Sequence, residues 1–186
     1  MENSEIYYPN ILTEKVSLTP LEINKSTVLE SILLKKLQSQ IEGKCNRTGL
    51  VKPGSLEILQ RSSGLIPPEH FDGNVHFQVR FSVQICNPPE RCLIRCKVHS
   101  VNKMGILAGL GDDLSTSPLM ILVSRQHHYD NMEEFDRIKP QDIIIVEVVG
   151  KRFELDDTFI QVVGILKEKK SSGKHMIMQK KCYKKN

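Results

Sequence analysis

Val75-His76-Phe77-Gln78-Val79-Arg80-Phe81-Ser82-Val83-Gln84-Ile85 alternates without a break between apolar and polar side chains. Successive side chains of an extended chain point to opposite faces. The stretch therefore reads as one long strand that buries Val75, Phe77, Val79, Phe81, Val83 and Ile85. Asn87-Pro88-Pro89 ends it, because proline lacks the N–H that a ladder requires, and marks a domain boundary. Upstream, Leu29, Leu33, Leu37 and Ile41 recur at every fourth position, widened by Val28 and Ile32, which predicts a helix packed on that sheet. Thr27 and Glu30 have capping-box spacing at its start, and Gly43 stands at its end. Residues 1–13 read as an irregular leader. Further strands are expected over 15–19, 44–52 and 55–61, the last two joined by a turn at Pro53-Gly54.

Beyond the boundary, strands are expected near 92–101, 105–110, 118–124, 142–150 and 158–166, with a helical piece over 131–138. Five short strands in so few residues fit a small closed barrel of the OB type. The expected fold class is α+β. An N-terminal tip domain over 1–87, an antiparallel sheet with one packed helix, precedes a five-stranded OB-type β-barrel over 88–168. A basic tail, Lys-rich and expected to be flexible, follows over 169–186.

The net charge of +4 is unevenly spread. Residues 1–85 hold nine basic and nine acidic side chains, residues 86–166 nine and twelve, and residues 167–186 eight lysines against one glutamate. A folded body that is neutral to acidic is a poor non-specific polyanion binder, so the basic character belongs to the tail. No apolar run approaches the roughly 18 residues that cross a bilayer. Met1-Glu2-Asn3-Ser4-Glu5 lacks the basic start of a secretory signal, so an intracellular protein without membrane contact is expected.

Chemistry-bearing motifs are sparse. The sequence has no Gly-rich phosphate loop, HExxH or GxSxG, so no catalytic residue is assigned and no cofactor is expected. Cysteines at 45, 86, 92, 96 and 182 lack CxxC spacing and form no evident disulfide framework or zinc site. On a strand, Cys92 and Cys96 share the core face and His99 points away, so buried reduced thiols are expected in place of a metal. His127-His128-Tyr129-Asp130 is read as loop or strand-end polar residues, since adjacent histidines of an extended segment diverge and no third ligand lies at helpful spacing. Arg95, Lys97, Lys103, Arg125, Lys151 and Arg152 are candidate RNA phosphate contacts, although the strands over 105–110 and 119–124 carry no aromatic platform.

Several stretches occur in a telling order: Ile41-Glu42-Gly43-Lys44-Cys45, Thr48-Gly49-Leu50-Val51, Arg61-Ser62-Ser63-Gly64-Leu65-Ile66-Pro67, and Asn74 to Phe81. Asn87-Pro88 with Glu90, Gly105-Ile106, Val123-Ser124, Ile138-Lys139, Asp142 to Val149 and Phe159 to Leu166 continue it. Over residues 15–168 this set resembles the stalk subunit of archaeal and eukaryotic nuclear RNA polymerases, the family of the seventh subunit of RNA polymerase II. The resemblance implies a non-catalytic subunit whose tip domain docks on the large polymerase core subunits near the clamp base. It also implies a barrel beside the RNA exit path, weak contact with nascent RNA, and a partner of the fourth-subunit type. Carried onto this sequence, the core-docking positions are Lys44, Asn46, Arg47, Thr48, Gly49, Ser62, Ser63 and Gly64. The chain departs from the family at Arg91-Cys92, where a glycine is common, in its missing barrel aromatics, and in the Lys-rich extension, which would suit the polymerase of a large DNA virus or a distant eukaryote. The competing expectations are a free-standing OB-type RNA-binding protein, and a small enzyme using His127, His128 and Cys92.

Overall fold

The computed structural model describes residues 6–24, 28–66, 68, 73–128 and 132–170. It contains ten strands: β1 Tyr7–Leu18, β2 Cys45–Asn46, β3 Gly49–Val51, β4 Glu57–Arg61, β5 Val75–Cys86, β6 Leu93–Val101, β7 Gly105–Gly109, β8 Leu119–Ser124, β9 Ile143–Arg152 and β10 Ile160–Lys170. Three helices, α1 Pro20–Asn24, α2 Leu29–Ile41 and α3 Met132–Asp136, accompany them. Strands β1, β5, β3 and β2 are neighbours in that order, with β4 also on β5, while β6 to β10 form a closed barrel. The α+β class and the barrel are therefore as expected from the sequence.

Two compact units are present. One comprises Tyr8–Lys44 and Val51–Ile85; the other contains the barrel, from Cys86 onward, together with Cys45–Leu50 and the chain up to Tyr7.

In the sheet unit, β5 buries Phe77, Val79, Phe81, Val83 and Ile85 against Leu33 and Leu37 of α2 and Val16 and Leu18 of β1. The strand β1 is longer than the predicted 15–19 and replaces the irregular leader from Tyr7 on. Tyr8, Leu12, Val16 and Leu18 contribute to the core at even positions, a period-two signal broken by the polar Asn10 and Glu14. The helix start also differs. The cap of α2 is Val28, with no side-chain cap bond, and Thr27 lies outside the described residues. Glu30 stands instead 3.9 Å from Arg61. The capping box belongs to the short α1: Thr19 N–H donates to Glu22 Oε2 at 2.8 Å, and Glu22 N–H to Thr19 Oγ1 at 3.4 Å, with Pro20 in the first helical turn. That bond from the Thr19 backbone, followed by the one from Lys36, lowers the Glu22 carboxyl below its ordinary range.

The barrel runs β6-β7-β8-β10-β9 and back to β6, with β8 and β10 parallel and every other pair antiparallel. This is the OB strand order, and α3 occupies the β8–β9 connection. Ile94, Cys96, Val98, Ile106, Ala108, Ile121, Val123, Ile144, Val146 and Val162 fill the interior as alternate residues of their strands. Gly105 opens β7 where a Cβ would run into the Val123 carbonyl, so only glycine allows β7 and β8 to approach there. The last strand extends to Lys170, past the predicted end at 166, because Lys169 and Lys170 register on Ile144 and Ile143. The remaining tail, from residue 171, lies outside the described residues. Among the described residues no helix is long and apolar enough to cross a membrane.

Phe81→Ala is expected to destabilise the protein by about 3–5 kcal/mol in a denaturant melt, since the ring is fully buried and its cavity has rigid walls. Gly105→Ala should cost about 1–3 kcal/mol through overpacking against backbone, and an unchanged midpoint would contradict the close approach.

Candidate docking and nucleic-acid interfaces

The expected core-docking residues fall into two groups. Lys44 and Ser62 to Gly64 belong to the sheet unit, whereas Asn46, Arg47, Thr48 and Gly49 belong to the barrel unit. The stretch expected as one strand over 44–52 is a tight hairpin. Its turn is built by Asn46, whose Oδ1 accepts from Thr48 N–H at 2.8 Å, Thr48 Oγ1 at 2.6 Å and Gly49 N–H at 3.1 Å. Gly49 holds φ 139, a value that a side chain disfavours.

The hairpin is bound into the barrel unit by backbone. Cys45 N–H donates to the Asp157 carbonyl at 2.7 Å, and Asp156 N–H to the Cys45 carbonyl at 2.9 Å. Asn87 Nδ2 donates to the Thr48 carbonyl at 2.6 Å. Lys151 in turn donates to Asn87 Oδ1 and, at 3.0 Å, to the Pro88 carbonyl. Asn46 and Thr48 thus have definite structural work at this end of the barrel, while Arg47 is exposed.

In the sheet unit the 62–66 loop is fixed from beneath. Ser62 Oγ accepts from Gln78 N–H at 2.9 Å, Ser62 N–H donates to the Gln78 carbonyl at 2.9 Å, and Leu65 bridges His76 in both directions. A Cβ on Gly64 would come within 2.5 Å of Val75 Cγ1 and 2.9 Å of the Phe77 ring, so the loop lies flat on the end of β5. It nevertheless exposes Leu65 by 67% and Ile66 by 62%. These two residues were not among the expected docking positions, although an apolar pair between Gly64 and Pro67-Pro68 was a usable signal.

Most candidate RNA contacts are engaged within the barrel. Lys97 Nζ lies 2.6 Å from Asp112, Arg125 Nη2 2.8 Å from Asp136, and Arg152 Nη2 2.8 Å from Glu154. The Asp112 carboxyl is held below its ordinary range, first by its hydrogen bond from Lys97. Desolvation beside Asn87 and Pro88 lowers the Lys151 ammonium. Arg95, on the outer face of β6, and Lys103, in the β6–β7 turn, have no acidic partner among the described residues. The register separates the set further. Arg125 N–H bonds the Met104 carbonyl beside Lys103 at one end of the barrel, while Arg152 pairs with Gln161 at the other. The outward row across β7, β8 and β10 carries no aromatic: it is Leu107, Leu122 and Val163, registered side by side.

The histidine and thiol groups differ in burial. His127 is exposed, whereas His128 is only 5% exposed and stacks 5.2 Å from the Phe135 ring. Its Nε2 accepts the Leu166 N–H at 2.8 Å, so Nδ1 carries the hydrogen and donates to the Ser124 carbonyl at 2.8 Å. Cys45, Cys86 and Cys96 are buried free thiols. Cys92 differs from the expectation of a reduced thiol: it shares the buried face with Cys96 as expected but is disulfide-bonded. Among the described residues no group of three His, Cys, Asp or Glu side chains could hold a metal ion. Arg91 adopts φ 62, a left-handed conformation that favours glycine.

Compared with known proteins, the chain matches no family model and no curated protein.

Burial pushes the thiols of Cys86 and Cys96 up to about 12 and that of Cys45 up to about 11, and burial likewise raises Tyr7 to about 12. Each group keeps its proton when folded and releases it sooner when unfolded. The stability they contribute is therefore complete below the ordinary thiol value of 9.0 and lost as pH rises towards 12. Unfolding midpoints should be flat from about pH 7 to 8.5 and fall above about pH 9, with a shallower fall in Cys96→Ala.

Proposed function

We propose that the chain is a non-catalytic stalk subunit of a multisubunit DNA-directed RNA polymerase, docked on the large core subunits through its sheet unit. One observation carries the reading: Leu65 and Ile66 stand about two-thirds exposed on a loop that hydrogen bonds and Gly64 hold rigid. Burying two such side chains is worth roughly 1.5–3 kcal/mol each, and a preordered loop loses little entropy on binding. Ser62, Ser63 and Gly64 shape this contact, and Leu65 and Ile66 supply its apolar anchor. The ordered resemblance over residues 15–168 supports the choice of a polymerase as the partner, and a fourth-subunit-type stalk partner would accompany it.

On this reading the OB-type barrel is positioned beside the RNA exit path, and its contact with nascent RNA is weak. The internal pairing of Lys97, Arg125 and Arg152, and the aliphatic Leu107-Leu122-Val163 row, support assembly as the first role and transcript contact as the second. Arg95 and Lys103 are the cations best able to touch phosphate.

Affinity capture of the tagged full chain should recover large polymerase subunits, and Leu65→Asp with Ile66→Asp should reduce that recovery at least about tenfold while leaving the thermal midpoint within about 2 °C. Equal recovery with the double variant would remove the docking loop from the reading. Capture of RNA alone, lost steeply with salt, would replace the reading with a free-standing RNA-binding protein.

A further inference from the structure

The parallel β8–β10 seam that closes the barrel does not end on backbone. Register partners run from Ile160–Leu119 to Gly164–Val123, and β8 then turns away into a single 3-10 turn at Arg125–His127. Two residues farther along β10, Leu166 N–H still points to this seam and has lost its carbonyl. His128 fills the gap. Its Nδ1–H donates to the carbonyl of Ser124, the last residue of β8, and its Nε2 accepts the N–H of Leu166, both at 2.8 Å. The imidazole thus relays one hydrogen bond across two strands that have separated too far to bond directly.

The relay works in one protonation state. A ring with one hydrogen offers a donor to Ser124 and an acceptor to Leu166, which matches both partners. A second proton would place N–H against N–H at Leu166 and leave both donors buried, a larger loss than the bond itself. Among the described residues, the charged groups on the elements around the ring are paired with one another. Arg125 on the turn is met by Asp136 of α3 at 2.8 Å, Arg137 by Glu133 within α3 at 3.7 Å, and Lys167 of β10 by Glu147 of β9 at 2.8 Å. His127 is exposed, and Phe135 covers one side of the buried ring.

We propose that His128 is a proton-sensitive latch on the barrel seam, whose uptake of a proton from solvent breaks the bond to Leu166 and loosens β10 from Leu166 to Lys170. This stretch is the C-terminal end of β10, paired with Ile143 to Val146 of β9. The inference stands apart from any role in transcription, because it rests on the barrel alone.

The test is amide hydrogen exchange on the full chain, expressed as protection relative to the intrinsic rate, between about pH 7.5 and pH 5.5. Protection at Leu166 should fall at least about tenfold on acidification, with Val162 in mid-strand unchanged. In His128→Gln, whose amide oxygen accepts without titrating, Leu166 protection should not vary with pH. Unchanged protection in the wild-type chain, or an equal fall in both proteins, would overturn the latch. Should the variant not fold, ring nitrogen shifts of His128 in the wild-type chain decide the matter. They should report hydrogen on Nδ1 at neutral pH and a titration that coincides with the loss at Leu166. The other tautomer, or a ring that titrates while Leu166 stays protected, would overturn it equally.

Discussion

A five-stranded sheet becomes a barrel only if its last strand satisfies two neighbours at once, and β10 does so by pairing antiparallel with β9 and parallel with β8. The parallel seam is the constraint on which the barrel unit depends. It joins strands that are distant in sequence, and it allows no hairpin to set its register. Three local devices serve it. Gly105 lets β7 press against the Val123 carbonyl. The register shift between Val163 and Gly164 lets β10 change course along β9, with outward-facing Val149 left between their partners. His128 completes the seam where backbone no longer reaches. With the seam closed, aliphatic residues of all five strands share one interior, and the barrel has no open edge.

The same closure shapes what the barrel surface can do. Its basic residues are spread over the β6 face and both ends, and three of them are neutralised by Asp112, Asp136 and Glu154. Exposed ion pairs of this kind contribute little stability, but they lower the field that a polyanion would meet. The outward row on β7, β8 and β10 is aliphatic, with Leu122 46% and Val163 41% exposed. A surface with paired charges and small apolar stripes suits protein contact better than base stacking. The rigid loop carrying Leu65 and Ile66 has the same character in the sheet unit, where a polar hydrogen-bond frame holds apolar side chains outward.

The sequence by itself determined the elements whose side chains report burial directly. Alternation specified β5 and six inward residues, five of them buried and Val75 half-buried; the four-residue repeat specified α2, and the spacing of turns specified five barrel strands, because period and burial are local properties. The candidate cations were legible as residues, whereas the histidines expected on an extended segment fall in and just after a 3-10 turn, His127 exposed and His128 buried. Tertiary structure decided what each of these meets. The polar residues Asn10 and Glu14 concealed the alternation of β1, and the hydroxyl of Thr19 found an acidic capping partner in Glu22. The segment 44–52 folded as a hairpin because Asn46 could take three donors at once. Lys97 and Arg125, read as phosphate contacts, found carboxylates at Asp112 and Asp136, 15 and 11 positions away, and His128 found Leu166, 38 positions away. Such pairings depend on which strands close the barrel. Sequence spacing carries no record of them, because a hydrogen bond or ion pair is set by distances of about 3 Å between groups that the chain brings together only when it folds.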